Sequence, residues 1–161
     1  NEMAAAEKPL QSFIRPDDFM QPGDYPEKIR AYCEKTGQPV PQTDGALVRC
    51  VLESLAMRYR QVYQSLKPYI TWEEKLYIVG GGAQNQVLNQ FTANALGIPV
   101  ITGASEATAV GNVMEQLYAL GAYKTRAEKC DILAASFETA QYLPQDTGEW
   151  DEAYRRFNDL Y

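Results

Sequence analysis

The sequence contains no histidine, and this absence removes two classes of chemistry. Without an imidazole the chain supplies neither a Ser-His-Asp triad nor a Cys-His pair, and it lacks the commonest zinc ligand. Cysteine is scarce as well, with only Cys33, Cys50 and Cys130. An odd number of widely spaced cysteines makes a poor disulfide framework. We therefore expect reduced, buried thiols in a cytoplasmic protein.

Long hydrophobic runs and excess positive charge are also missing. No apolar stretch reaches the length that spans a bilayer, and no secretory signal begins the sequence. The net charge of −6 argues against a nucleic-acid-binding surface. We therefore expect neither membrane nor nucleic-acid partners. A phosphate-bearing ligand stays compatible with this charge, because backbone N–H groups at a helix start bind phosphate without side-chain cations.

A chain of 161 residues, of which 45% are hydrophobic, is long enough for one compact domain. Prolines and turn residues predict an irregular lead-in over residues 1–24. An α/β body is predicted over residues 25–145, and an amphipathic helix over the tail, residues 146–161. The first residue is not Met, so we expect a piece of a longer protein.

The longest predicted helix runs from Asp44 to Leu66, with Thr43 as its N-cap. A shorter helix is predicted before it, from about Tyr25 to Thr36. The apolar residues of the long helix recur with the 3.6-residue period and predict a face packed on a sheet: Val48, Val51, Leu52, Leu55, Tyr59, Val62 and Leu66. The opposite face is predicted to carry Arg49, Glu53, Arg58, Arg60 and Gln64.

From residue 75 onward, strands and helices are predicted to alternate. A buried strand over 75–79 precedes a helix that begins near Gln84 or Asn85, and a second strand over 99–103 precedes a helix from about Glu106. A further helix is predicted over 125–135. This order is typical of an α/β layer architecture. Because two strands do not make a stable sheet, we expect neighbouring strands from outside the chain.

A glycine-rich turn joins the first predicted strand to its helix, and it is the strongest candidate site. The candidate residues are Gly80, Gly81, Gly82, Ala83, Gln84 and Asn85. Glycines allow a ligand to approach the backbone closely, and the next helix begins with free N–H groups. The spacing matches neither a P-loop nor a dinucleotide fingerprint, since Asn85 occupies the last glycine position. A ligand-binding turn and a tight structural turn both remain open.

A second feature is the segment Gly103–Asn112, which opens the following predicted helix. Glu106 near a helix N-terminus is electrostatically favourable, so a purely structural role is sufficient for it. Ala107, Ala109 and Gly111 form a row of small residues. Gly111 costs about 1 kcal/mol of helix propensity relative to Ala, which predicts that another element packs closely against this helix.

These segments together resemble the C-terminal region of the FGGY carbohydrate kinases, and of rhamnulokinases in particular. The resemblance runs over about residues 10–140 and is strongest in Tyr77–Val100 and Gly103–Asn112. Pro22–Pro41 and Val48–Arg60 agree with it. Two departures are mild: Ala104-Ser105 replaces a usual Pro-Val, and Asn94 replaces a usual Asp.

The resemblance implies the fold, the reaction and the partners. It implies an RNase H-like (actin-like) α/β domain that is the incomplete C-terminal half of a two-domain kinase. Gly80–Asn85 would line the nucleotide, with ATP and Mg²⁺ as cofactors and L-rhamnulose as the sugar. The resemblance places the catalytic base, the phosphate loops and most of the sugar pocket outside this chain. We therefore expect no catalytic residue or metal ligand within it, and no activity from it alone.

Other interpretations stay open at this point. The chain could be a stand-alone nucleotide- or phosphate-binding module, a structural or interaction domain with a degenerate site, or part of a kinase for another ketose or deoxysugar. If the missing part normally covers the sheet, the chain should expose an apolar edge and self-associate.

Overall fold

The computed structural model describes residues 2–69 and 74–161, so Asn1 of the predicted lead-in lies outside the described residues. The helices are α1 (Glu2–Ala6), α2 (Tyr25–Lys35), α3 (Asp44–Leu66), α4 (Gln86–Leu96), α5 (Ala107–Ala119), α6 (Arg126–Ser136) and α7 (Thr147–Asn158). The strands are β1 (Leu76–Ile78), β2 (Val100–Thr102) and β3 (Gln141–Tyr142). Within these ranges, no helix is both long and apolar enough to cross a membrane.

Side-chain caps fix where the long helices begin. The Asp24 carboxylate accepts a hydrogen bond from the Glu27 N–H at the start of α2, and the Thr43 hydroxyl accepts one from the Ala46 N–H at the start of α3. Thr125 and Glu128 form a capping box at the start of α6. The predicted bounds of α2, α3 and α6 are confirmed to within about a residue.

The three strands form one mixed sheet in the order β1-β2-β3. β1 and β2 are parallel, with Leu76 opposite Val100, and β3 is antiparallel to β2. The prediction of a buried first strand is wrong, because Tyr77 and Val79 are 55% and 58% exposed. The cause is positional: β1 is an edge strand among the described residues, and no further strand covers it.

The prediction for the buried face of α3 is confirmed only in part: Leu52 lies in the core, but four other residues of the predicted stripe do not. Val48, Tyr59, Val62 and Leu66 are each about 40% exposed, whereas Arg49 and Glu53 are buried. α3 packs mainly against α4 and α1 instead of against a sheet. The two charges tolerate burial because Arg49 Nε donates to Glu53 Oε1 at 2.7 Å. Burial raises the pKa of Glu53, and the Arg49 guanidinium offsets only part of that effect.

The lead-in is more ordered than its prolines predict, since it contains α1 and contributes to the core. Glu53 holds it in place by accepting hydrogen bonds from the Leu10 N–H at 3.0 and 3.1 Å. The Arg156 guanidinium donates to the Leu10 carbonyl at 2.8 Å. The rings of Phe13 and Phe157 meet edge to face, 6.1 Å apart. Residues from the start of the chain and from α7 therefore pack into the same hydrophobic core.

The cysteine prediction is confirmed at two positions and wrong at one. All three thiols are free, and Cys33 and Cys50 are buried between α2 and α3. Cys130 is exposed, because α6 buries none of its residues.

The C-terminal end of α4 depends on a glycine in the left-handed region. Gly97 has φ 70° and ψ 20°, and its N–H donates to the Ala93 carbonyl. We expect Gly97→Ala to lower the free energy of unfolding by about 1 kcal/mol, because an L-residue is strained in this conformation. Urea denaturation followed by circular dichroism measures this change. Gly148→Ala is the control: an added Cβ meets open space in a right-handed helix, so a loss as large as that of Gly97→Ala would contradict the argument.

Candidate functional site

The candidate site is the turn that follows β1. Gly80 has φ 83° and ψ −171°, a region that is essentially restricted to glycine. The chain then forms a 3₁₀ turn over Gly81–Gln84. Two hydrogen bonds between residues three positions apart close it, from the Ala83 N–H to the Gly80 carbonyl at 3.0 Å and from the Asn85 N–H to the Gly82 carbonyl at 3.1 Å. The backbone of the turn therefore has a defined shape.

The outer side of this turn is open. A Cβ atom placed on Gly81 or Gly82 would meet no atom of residues 2–69 and 74–161 within 4 Å. Among the described residues, no acceptor lies within hydrogen-bond distance of the N–H groups of Gly81 and Gly82. A turn with a purely structural role needs a glycine where space or dihedral angles demand it. Gly80 meets that condition, whereas Gly81 and Gly82 offer free donors to solvent.

The two polar residues predicted at the site have different positions. Gln84 is exposed at the end of the turn. Asn85 is the N-cap of α4, and its Oδ1 accepts a hydrogen bond from the Leu88 N–H at 3.1 Å. Its side chain therefore stabilises the helix start and occupies one of the N–H groups of that first turn.

Asn89 is a residue of the site that sequence reasoning missed. It is fully buried, and its Nδ2 donates to the Ala83 carbonyl at 2.8 Å. This bond ties the glycine turn to the second turn of α4. The Oδ1 of Asn89 has no partner among the described residues. The apolar residues Val87, Leu88, Phe91 and Ala95 lie on another side of α4, so the helical period gives no signal for this role.

The second predicted feature lies beside the first. The Gly80 N–H donates to the Ala104 carbonyl at 3.0 Å, and the Gly103 N–H donates to the Ile78 carbonyl at 2.9 Å. The loop after β2 thus forms one wall of the site, and Glu106 begins α5 without a side-chain cap. The close packing predicted at Gly111 involves no described residue, since a Cβ there would meet nothing within 4 Å.

The residues of the site suit a nucleotide better than a metal ion. The open turn, with its free N–H groups, suits a ligand with phosphate or hydroxyl oxygens. Across residues 2–69 and 74–161, no group of three His, Cys, Asp or Glu side chains is placed to hold a metal ion.

Comparison with known proteins identifies the family. Residues 1–120 match the C-terminal domain of the FGGY family of carbohydrate kinases. A rhamnulokinase of Bacteroides thetaiotaomicron is 48% identical over 155 residues, which cover 94% of this chain and 32% of that protein. A rhamnulokinase of Pectobacterium carotovorum is 41% identical over 162 residues, or 99% of this chain and 33% of that protein. The chain thus spans about a third of the length of the curated relatives it matches.

Solved structures agree with this assignment. A xylulose kinase from Rhodospirillum rubrum superposes on the chain with a TM-score of 0.62 and 26% identity, over 78% of this chain and 26% of that protein. A xylulose kinase from Lactobacillus acidophilus has a TM-score of 0.60 at 14% identity, over 73% of this chain and 24% of that protein, which supports the fold alone. The mixed α/β fold and the sequence matches lead to one conclusion: the chain belongs to the FGGY family of carbohydrate kinases, where it corresponds to a C-terminal domain of the rhamnulokinase type.

Proposed function

We propose that this chain is the nucleotide-binding part of an enzyme that phosphorylates L-rhamnulose with ATP. The γ-phosphorus of ATP would form a bond to the O1 oxygen of the sugar while its bond to ADP breaks, and the O1 proton would pass to a carboxylate base. The products would be ADP and L-rhamnulose 1-phosphate. The observation that carries the proposal is the open turn at Gly81 and Gly82, whose N–H groups have no acceptor in the described part of the chain. Identity of up to 48% to rhamnulokinases supports the choice of sugar.

The turn would bind ATP through its backbone. Because Gly81 and Gly82 carry no side chain, the nucleotide can lie directly on the peptide groups and accept hydrogen bonds from them. Gln84 lies beside this surface, and Asn85 and Asn89 hold it against α4. Gly80 would set the direction in which the turn leaves β1. These residues would thereby fix the position of ATP, which is the main contribution that phosphoryl-transfer enzymes make.

The remaining parts of the reaction belong outside this chain. The described residues do not form a metal cluster, so Mg²⁺, which would neutralise charge on the phosphates, would be held mainly by the rest of the full-length protein. The same holds for the base and for the sugar pocket. Closure of the other domain over the turn would exclude water from the phosphates. The 161-residue chain alone is therefore proposed to be inactive.

The experiment is a comparison of the full-length protein with the 161-residue chain. We expect the full-length protein to release ADP from ATP only when L-rhamnulose is present, and the chain to release none under the same conditions. A coupled spectrophotometric assay measures ADP, and phosphorus NMR identifies the sugar phosphate. Turnover by the chain alone would contradict its proposed inactivity. Turnover by the full-length protein with another ketose or deoxysugar, but not with L-rhamnulose, would contradict the substrate.

A further inference from the structure

Hydrogen bonds at both ends tie the glycine turn to its neighbours. At the first end, the Gly80 N–H donates to the Ala104 carbonyl in the loop after β2, at 3.0 Å. At the other end, the Asn89 Nδ2 of α4 donates to the Ala83 carbonyl at 2.8 Å. Between these ends, Gly81–Gly82 has no side chain to pack, and its N–H groups have no acceptor among the described residues. The Asn89 side chain is therefore an anchor for a segment that has no side-chain contacts of its own.

The Asn89 carboxamide is not the side chain that stability alone favours at this position. The residue is 0% exposed, and its Oδ1 has no hydrogen-bond partner in the described part of the chain. A buried acceptor without a donor destabilises a fold, and an apolar side chain of similar size avoids that penalty. What the carboxamide supplies, and an apolar side chain cannot, is the donor to the Ala83 carbonyl.

We propose that Asn89 is a positioning residue for ATP, which acts by holding the Ala83 carbonyl and thereby the backbone of Gly81 and Gly82. This inference rests on the proposed function, because it needs the nucleotide on this turn. Glycine has more conformational freedom than any other residue, so two consecutive glycines lose much entropy when they become ordered. An anchor that orders them before ATP arrives removes that loss from the binding step. Asn89 itself is buried and would not touch the nucleotide.

This role predicts a specific kinetic signature. The base and the sugar pocket are proposed to lie outside this chain, so the anchor would contribute equally to binding of ATP in the ground state and in the transition state. Loss of such uniform binding raises KM and leaves kcat unchanged. A merely structural role would instead link any loss of ATP affinity to a loss of Tm.

The test is Asn89→Leu in the full-length protein, since leucine has a similar volume and no donor. We expect KM for ATP to rise about tenfold, with kcat unchanged, in a coupled assay of ADP release with the sugar that the protein phosphorylates. Titration calorimetry with ADP should show the same loss as a Kd about tenfold higher, without turnover. Tm should stay near that of the unaltered protein, because the lost hydrogen bond and the removed unpaired acceptor offset each other.

Thr92→Val is the matched control in the same helix. Thr92 is also 0% exposed, but its hydroxyl donates at 2.7 Å to the Leu88 carbonyl within α4. We expect this variant to leave KM for ATP and Kd for ADP unchanged. A rise as large as that of Asn89→Leu would overturn the proposal, because a general loosening of α4 would then explain both results. If Asn89→Leu does not fold, Asn89→Ala gives the same readouts, since alanine cannot overfill the site.

Gly82→Val separates failure of this inference from failure of the proposed function, because its side chain would occupy the space over the turn itself. Unchanged ATP and ADP binding in Asn89→Leu, together with weakened binding in Gly82→Val, would overturn the role of Asn89 and leave the nucleotide on the turn. Unchanged binding in both folded variants would overturn both. A fall in kcat at unchanged KM for ATP would also overturn the role of Asn89.

Discussion

Replacing Glu53 with alanine is expected to lower the free energy of unfolding by about 3–5 kcal/mol. The Glu53 side chain is 1% exposed and is paired with Arg49, whose own side chain is 10% exposed. Its removal would leave a buried guanidinium without its counter-charge. It would also leave the Leu10 N–H without an acceptor, at a residue whose φ of 54° already needs support. Urea denaturation followed by tryptophan fluorescence measures the loss.

The matched control for this prediction is an ion pair whose carboxylate is exposed. Arg60 and Asp151 are 2.6 Å apart, but the Asp151 side chain is 57% exposed. Asp151→Ala should cost about 0–1 kcal/mol, because water already competes for the exposed Asp151 carboxylate, and the Tyr154 ring stays 4.2 Å from the Arg60 guanidinium. A loss for Glu53→Ala no larger than that for Asp151→Ala would show that the buried pair is not what anchors the lead-in to α3.

Replacing Gly82 with valine in the full-length protein is expected to raise the KM for ATP by about tenfold or more. The added side chain would project into the open space beside the turn, where the proposed nucleotide lies against the backbone. The same variant should leave Tm nearly unchanged, because Gly82 is outside the left-handed region and a Cβ there meets no atom of a described residue within 4 Å. Steady-state kinetics at saturating sugar, together with a thermal melt, measures both effects.

Two further variants serve as controls for this result. Gly148→Val adds the same side chain at another open glycine, far along the chain in α7, and should leave the KM for ATP unchanged. Gly80→Ala should lower Tm, because Gly80 has dihedral angles that only glycine adopts readily. An unchanged KM for ATP in a folded Gly82→Val variant would place the nucleotide elsewhere.

Helix bounds could be predicted because they depend on residues close in sequence. Thr43 and Thr125 cap their own helices through N–H groups three residues away, and Gly97 ends α4 through its own dihedral angles. The buried face of α3 depends on partners far along the chain. The hydrophobic period assigned Arg49 and Glu53 to solvent, since a hydropathy pattern treats each charge separately and does not register that the two neutralise each other.

The candidate site, too, could be predicted from the sequence only in part. The glycine turn was predictable because glycines between a strand and a helix mark a sharp change in chain direction. The contacts that hold the turn in place were not predictable. Asn89 donates to the Ala83 carbonyl six residues earlier, and the Ala104 carbonyl, which accepts from Gly80, belongs to the loop after β2. β3 was missed because it has two residues, too few for any alternation to show.

The contact between Leu10, Phe13 and α7 has a consequence for how the chain folds. Leu10 and Arg156 are 146 positions apart, yet they share a hydrogen bond, and Phe13 packs on Phe157. During synthesis, residues 10–13 leave the ribosome long before α7 exists, so the two sides of this core meet only after α7 has emerged. Leu10 and Phe13 are thus made well before the partners that bury them, and until then they are available to chaperones.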